Sequence, residues 1–256
     1  MSIYERIIHA VYGWFNPAWD KCRKASCWSG SNAAVRLMNI LSPHMDDGVF
    51  RSRVGWMKAR GCDTAHLFIS NNKDGQYAGY CPYGTAWTWK IDNKLCKLMR
   101  ERMRYLRRNG FAVVVWLFAD DDGGWNREAA KSFSGYLSDC KESGLLTLAS
   151  QVVIGLELNE YYTYTQVGEL AAATRAVYKG KIATHETSSR CAFAGMADVV
   201  YYQLNPGVSA AQVAAATRAV KASTGKPVNM FEVSRSENRA LAEAALNAGA
   251  CGVGNW

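Results

Sequence analysis

Val152-Val153-Ile154-Gly155-Leu156-Glu157-Leu158-Asn159-Glu160 is the stretch that decides the reading of this chain. A β-branched apolar run that closes on polar and acidic residues reads as a buried strand surfacing at one rim of a sheet. Lys226-Pro227-Val228-Asn229-Met230-Phe231-Glu232 repeats the design far downstream. From residue 33 onward such runs alternate with segments of helical period. Strands are expected at 33–41, 64–70, 111–118, 151–158, 181–185, 198–203, 227–232 and 250–254. Helices are expected near 49–60, 91–109, 127–143, 165–178, 208–224 and 236–248, with a short one near 189–195. Eight strands alternating with helices predict an α/β fold, a single (β/α)₈ barrel, rather than an open sheet. In such a barrel Glu160 and Glu232 both emerge at the rim where the strands end.

Residues 33–256 form the expected barrel and residues 1–32 a helix and loop packed on it. Ile3, Ile7, Val11 and Trp14 recur at helical spacing, so residues 2–15 are expected to fill the outer ring where no helix follows the eighth strand. Gly61, Gly110, Gly180, Gly225 and Gly249 stand at helix-to-strand junctions, where a left-handed cap is expected. One echo runs through the chain: Ala171-Ala172-Ala173-Thr174-Arg175-Ala176-Val177 recurs at 214–220. Recurrence of a helix–strand unit suits a barrel; Ala-rich helices also converge by composition. The long insert 71–90 follows the second strand and is rich in Gly, Tyr and Trp. Tyr77, Tyr80, Tyr83, Trp87 and Trp89 are candidate walls of a groove at the rim.

The chain has 256 residues, a length suited to one barrel domain, and its 49% hydrophobic and 20% charged residues support a folded core. The net charge is +8, and much of it lies in Lys90, Lys94, Lys97, Arg100, Arg102, Arg104, Arg107 and Arg108. That run has helical spacing and reads as a solvated helix face, with attraction to an anionic surface as the alternative. No nucleic-acid-binding signature accompanies it. The eight cysteines form no CxxC pair and no zinc-ligand spacing, so scattered buried thiols are expected. Glu5, Arg6 and His9 interrupt any apolar signal core, and no uninterrupted apolar run is long enough to cross a bilayer. A soluble monomer with no membrane partner is expected, its compartment open.

Cleaving a glycosidic bond requires a general acid for the leaving oxygen and a carboxylate that attacks the anomeric carbon or activates water. Glu160 and Glu232 fit those roles, and Asn159 adds an amide able to hold a sugar hydroxyl. Asn-Glu at the end of the fourth strand with a second Glu at the end of the seventh resembles the clan A glycoside hydrolases, retaining (β/α)₈ enzymes that include cellulase-like and mannanase-like families. The resemblance implies that Glu160 is the acid/base and Glu232 the nucleophile, with no metal and no cofactor. It also suggests Trp256, closing the eighth strand, as a platform beneath the substrate. Asp122-Gly123-Gly124-Trp125-Asn126 is similar to a Gly-Gly-Trp stretch of some members, which nominates Trp125. The sequence departs from the clan at the second strand, where His66 stands in place of the usual Arg, and near Phe118-Ala119-Asp120, where a His is missing. Tyr201 or Tyr202 is the expected counterpart of the tyrosine that holds the nucleophile. The substrate-binding set is therefore Asn159, His66, Trp87, Trp125, Tyr202 and Trp256. Glu157, placed by strand alternation on the opposite face, is expected to meet a helix. Glu186 is a second acidic rim candidate, and Asp120, Asp121 and Asp122 are expected to form a solvated loop or to accept from sugar hydroxyls, with hard-cation binding as the alternative. His44, Asp46 and Asp47 after the first strand read the same way.

The expected function is hydrolysis of a β-linked oligo- or polysaccharide. Two rivals stand beside it: a non-catalytic carbohydrate-binding barrel, and a cell-wall lytic glycosidase that docks through its basic helix.

Overall fold

A computed structural model describes residues 47–59, 63–71, 83–85, 89, 91–118, 127–204, 207–231 and 239–254. The expected N-terminal helix, the first strand at 33–41, Trp87, Asp120–Asp122, Trp125, Glu232 and Trp256 lie outside these residues, as does most of the insert 71–90.

The chain order is α1 (Asp47–Ala59), β1 (Thr64–Phe68), β2 (Ser70–Asn71), β3 (Tyr83–Thr85), α2 (Asn93–Arg108), β4 (Ala112–Trp116), α3 (Arg127–Glu142), α4 (Leu145–Leu148), β5 (Gln151–Val153), α5 (Leu158–Tyr161), α6 (Tyr164–Val177), β6 (Lys181–Glu186), a 3₁₀ turn (Ala194–Met196), β7 (Val199–Tyr202), α7 (Ala210–Thr224), β8 (Val228–Met230), α8 (Arg239–Asn247) and β9 (Gly252–Val253). Among the described residues seven strands pair in the order β1-β4-β5-β6-β7-β8-β9, and every pair is parallel. The small β2–β3 pair stands apart from them. Parallel neighbours in chain order, joined through helices, are seven strands of the α/β barrel that the alternating pattern predicts.

Side-chain alternation sorts the strand residues onto an outer and an inner face. Val113, Val115, Val152, Ile154 and Ile182 face outward onto the helices, with Met99, Met103, Phe133, Leu137, Val167 and Leu170. A second outer core gathers Val200, Val228 and Met230 against Val213, Val220 and Leu241 of α7 and α8. Phe68, Val114, Trp116, Val153, Ala183, Val199, Tyr201 and Phe231 face inward and fill the barrel. At about 25 cal/mol per Å² of apolar surface removed from water, these layers are the main force holding the strands in a ring.

The 171–177 and 214–220 echo extends further than the repeated heptad. Thr163 and Gln166 form a capping box at the start of α6, and Ser209 and Gln212 form the same device at the start of α7. Thr174 and Thr217 are both buried and donate to the carbonyls of Leu170 and Val213, at 2.8 and 2.9 Å. The copies part at their arginines, since Arg175 makes a bidentate pair with Asp198 at 3.1 Å through both nitrogens. Gly225 and Gly249 end α7 and α8 with φ of 65° and 102°, the left-handed caps expected of them.

The basic run is less exposed than its pattern suggests. Arg102 is buried, with its guanidinium over the Phe50 ring and 3.7 Å from Asp47. Arg100 and Arg107 donate to the carbonyls of Ser143 and Leu148. Lys94, Lys97, Arg104 and Arg108 face solvent. Cys96, Cys140, Cys191 and Cys251 are buried thiols outside any disulfide, as expected of scattered thiols. No helix among the described residues is long and apolar enough to cross a membrane.

Candidate functional site

The expected strand 151–158 is shorter than its apolar run. β5 ends at Val153, and residues 158–161 form a single turn of helix instead. Gly155 marks the departure. A Cβ there would lie 2.3 Å from the Phe118 ring, so only glycine lets the chain pass so close. Leu156 then joins the inner core although Ile154, two residues earlier, belongs to the outer one. Period-two alternation has stopped applying.

Glu157 follows with φ 50° and ψ 40°, one of three non-glycine residues at positive φ among those described, with Trp89 and Cys191. That backbone costs about 1–2 kcal/mol in an L-residue. Three hydrogen bonds hold it. The Glu157 N–H donates to Nδ1 of His185 at 3.0 Å. Its carbonyl accepts from the Glu160 N–H at 2.9 Å. Its carboxylate Oε1 accepts from Nε2 of Gln203 at 2.6 Å. His185 is an inward residue near the end of β6, and Gln203 follows β7 in the inward register of Tyr201. Glu157 is half-buried and leans over the barrel interior. This corrects its expected placement against an outer helix, because that expectation carried strand alternation past the point where the strand ends.

Glu160 sits on α5 rather than at a strand end, and it is exposed. Asn159 is half-buried and tied to Thr187 on both sides of its amide. Its Nδ2 donates to the Thr187 hydroxyl at 2.9 Å, and its Oδ1 accepts from the Thr187 N–H at 2.8 Å. These bonds pin α5 to the chain leaving β6. Tyr202 requires a correction. It is fully buried on the outer face of β7, where its hydroxyl meets Thr217 of α7 at 2.6 Å, and so it is turned away from any substrate. Tyr201 is the tyrosine that points inward. Glu186 also faces outward; its carboxylate accepts from the N–H groups of Ala192 and Phe193 at 2.7 and 3.0 Å and clasps their loop. Burial pushes its pKa up, against the pull of those two bonds.

Beneath Glu157 the interior is floored by rings. His66, expected to replace a substrate-binding Arg, is 8% exposed, and its Nδ1 accepts from Nε1 of Trp116 at 3.1 Å. Phe231 and Trp116 have centroids 4.9 Å apart, Phe231 and His66 likewise, and Tyr201 and His185 complete the cluster. Each histidine accepts at Nδ1, so the neutral ring carries its proton on Nε2. Burial lowers the pKa of both to about 3. The unfolded chain takes up these two protons near pH 6.5 and the folded one does not. Stability is therefore complete above about pH 6.5 and should fall, at most about 2.7 kcal/mol per pH unit, as pH drops toward 3. Urea midpoints between pH 7 and 4 read this slope. A His66→Phe variant should roughly halve it, and an unchanged slope would mean that these rings do not set acid stability.

Among the described residues no group of three His, Cys, Asp or Glu side chains could hold a metal ion. The arrangement offers hydrogen-bonded carboxyl chemistry over an aromatic floor. The sequence signal for Gln203 was slight: an inward polar residue two positions after Tyr201, at the end of an apolar run.

No family model matches the sequence, and no curated protein matches it. Solved structures do. An exo-β-1,4-mannosidase from Opitutaceae bacterium strain TAV5 superposes with a TM-score of 0.61 at 14% identity, covering 87% of this chain and 49% of that one. A family 1 β-glucosidase from Thermotoga maritima gives 0.57 at 13% identity, over 94% and 84% of the two chains. A GH113 β-mannanase from Alicyclobacillus acidocaldarius gives 0.55 at 12%, over 92% and 83%. The chain thus spans about half the length of the mannosidase and most of the other two. At such identities the likeness is one of architecture: the chain has the (β/α)₈ fold found in these clan A glycoside hydrolases.

Proposed function

We propose that this chain is a retaining glycoside hydrolase acting on a β-linked glycan. The observation that carries the reading is a carboxylate held in strained backbone, half-buried, over the C-terminal ends of β6 and β7. Active sites of (β/α)₈ enzymes lie on that face, and the structures of similar fold are mannosidases, mannanases and β-glucosidases by name. The mechanism needs two carboxyls about 5–5.5 Å apart. Glu232, next after the inward-facing Phe231, supplies the nucleophile in this reading. The loop after β5 supplies the acid/base and holds two glutamates, Glu157 and Glu160, of which the sequence motif nominates Glu160. Substrate is an oligo- or polysaccharide, and Trp87, Trp125 and Trp256 are its stacking partners.

A panel of aryl β-glycosides and β-linked polysaccharides tests this, with the anomer of the first-formed product followed by NMR. Turnover with the β-anomer appearing first is expected. The α-anomer appearing first would replace retention by inversion. Sugar binding without turnover on any member would favour the non-catalytic barrel.

A further inference from the structure

We propose that Glu157, not Glu160, is the general acid/base, an assignment that rests on the glycosidase reading above. The two side chains differ in burial and in what holds them. Glu157 is half-buried, and its carboxylate accepts from Gln203 at the end of β7; Glu160 is exposed on α5. Glu157 also sits on left-handed backbone, held by the ring nitrogen of a fully buried His185 and by the Glu160 N–H. Such strain persists only where surrounding bonds over-determine it, and it concentrates where a side chain must be aimed. Here the bonds aim one carboxyl over the interior, and Glu160 contributes the N–H that closes the turn. Asn159 and Thr187 fix the far end of the same loop. Gln203, donating to Oε1, is then a positioning residue that holds the carboxyl from the end of β7.

In the reaction the Glu157 carboxylic acid gives its proton to the glycosidic oxygen. The C1–O bond breaks, the aglycone leaves as an alcohol, and the Glu232 carboxylate forms a bond to C1. The Glu157 carboxylate next takes a proton from water, and the water oxygen attacks C1. The ester to Glu232 breaks, which releases a sugar with its anomeric configuration kept. One water is consumed, and Glu157 ends protonated as it began.

Glu157→Gln and Glu160→Gln should be compared on the active aryl β-glycoside, carrying either a good leaving group (2,4-dinitrophenolate) or a poor one (phenolate), with and without sodium azide. Glu157→Gln is expected to lose about 10²–10⁴-fold in kcat/KM on the phenyl glycoside. Its kcat/KM should stay close to wild type on the dinitrophenyl glycoside, whose departure needs no proton, while kcat there falls because the glycosyl-enzyme has lost its general base; azide should restore that turnover with a β-glycosyl azide as product. Glu160→Gln should remain within a few fold of wild type throughout. Glu157→Asp serves if the glutamine variant does not fold. Aspartate tolerates left-handed backbone and withdraws the carboxyl by one methylene, so it should show the same split between leaving groups. The assignment is overturned if Glu160→Gln carries this signature, or if both Glu157 variants match wild type on the phenyl glycoside. A wild-type protein inactive on every glycoside overturns the glycosidase reading itself, and the assignment with it.

Discussion

Glu232→Gln is expected to lower kcat on the preferred glycoside by on the order of 10⁴–10⁶-fold, the scale that follows removal of one member of a covalent-catalysis set. Glutamine matches glutamate in shape and cannot attack an anomeric carbon. The loss should therefore fall on all leaving groups alike, dinitrophenolate included, which separates it from loss of the general acid. Unfolding temperature should be unchanged, because the substitution conserves volume. Steady-state kinetics and a thermal melt of the purified variant check both halves. Activity within tenfold of wild type would remove Glu232 from the reaction.

Trp116→Ala is expected to be the most damaging single change to stability. Trp116 is fully buried at the centre of the inner core, against Phe68, His66, His185, Tyr201 and Phe231. Truncating a buried tryptophan costs about 3–5 kcal/mol through lost transfer energy and the cavity left behind. The variant also strips Nδ1 of His66 of its donor, which adds to the cost. In a domain of this size the melting temperature should drop by roughly 10 °C or more. Trp116→Phe keeps a ring in the cluster and should lose less than half as much. A drop below about 2 °C for the alanine variant would mean that the interior repacks freely.

Much of the barrel was legible in the chain. Six helices fall within a few residues of their expected bounds, and seven strands lie on their expected runs, because apolar periodicity reports directly which face of an element is covered. The repeated Ala-Ala-Ala-Thr-Arg-Ala-Val marked two helices with the same cap and the same buried threonine. Periodicity failed where backbone left regular structure. Gly155 was visible, yet its close approach to Phe118 is a contact between residues 37 positions apart, and no local pattern encodes it. The turn at Glu157 depends on His185 and Gln203, which lie 28 and 46 positions away. Tyr201 and Tyr202 are chemically alike, and the face each takes is settled by register alone. Local sequence left that register open, and pairing with β6 and β8 decides it.

The twin capping boxes have a consequence for how the protein comes apart. Both are built from hydroxyl and carboxamide groups, Thr163 with Gln166 and Ser209 with Gln212, and neither contains an atom that gains or loses a proton between neutral and acid solution. The histidines in the floor of the barrel do. Acid therefore favours any state in which the centre opens and its two histidines take up protons, while two helix starts on the rind keep their bonds. The first acid-altered form should be a shell of helices around a loosened middle, with peptide-band circular dichroism persisting after the aromatic bands have collapsed.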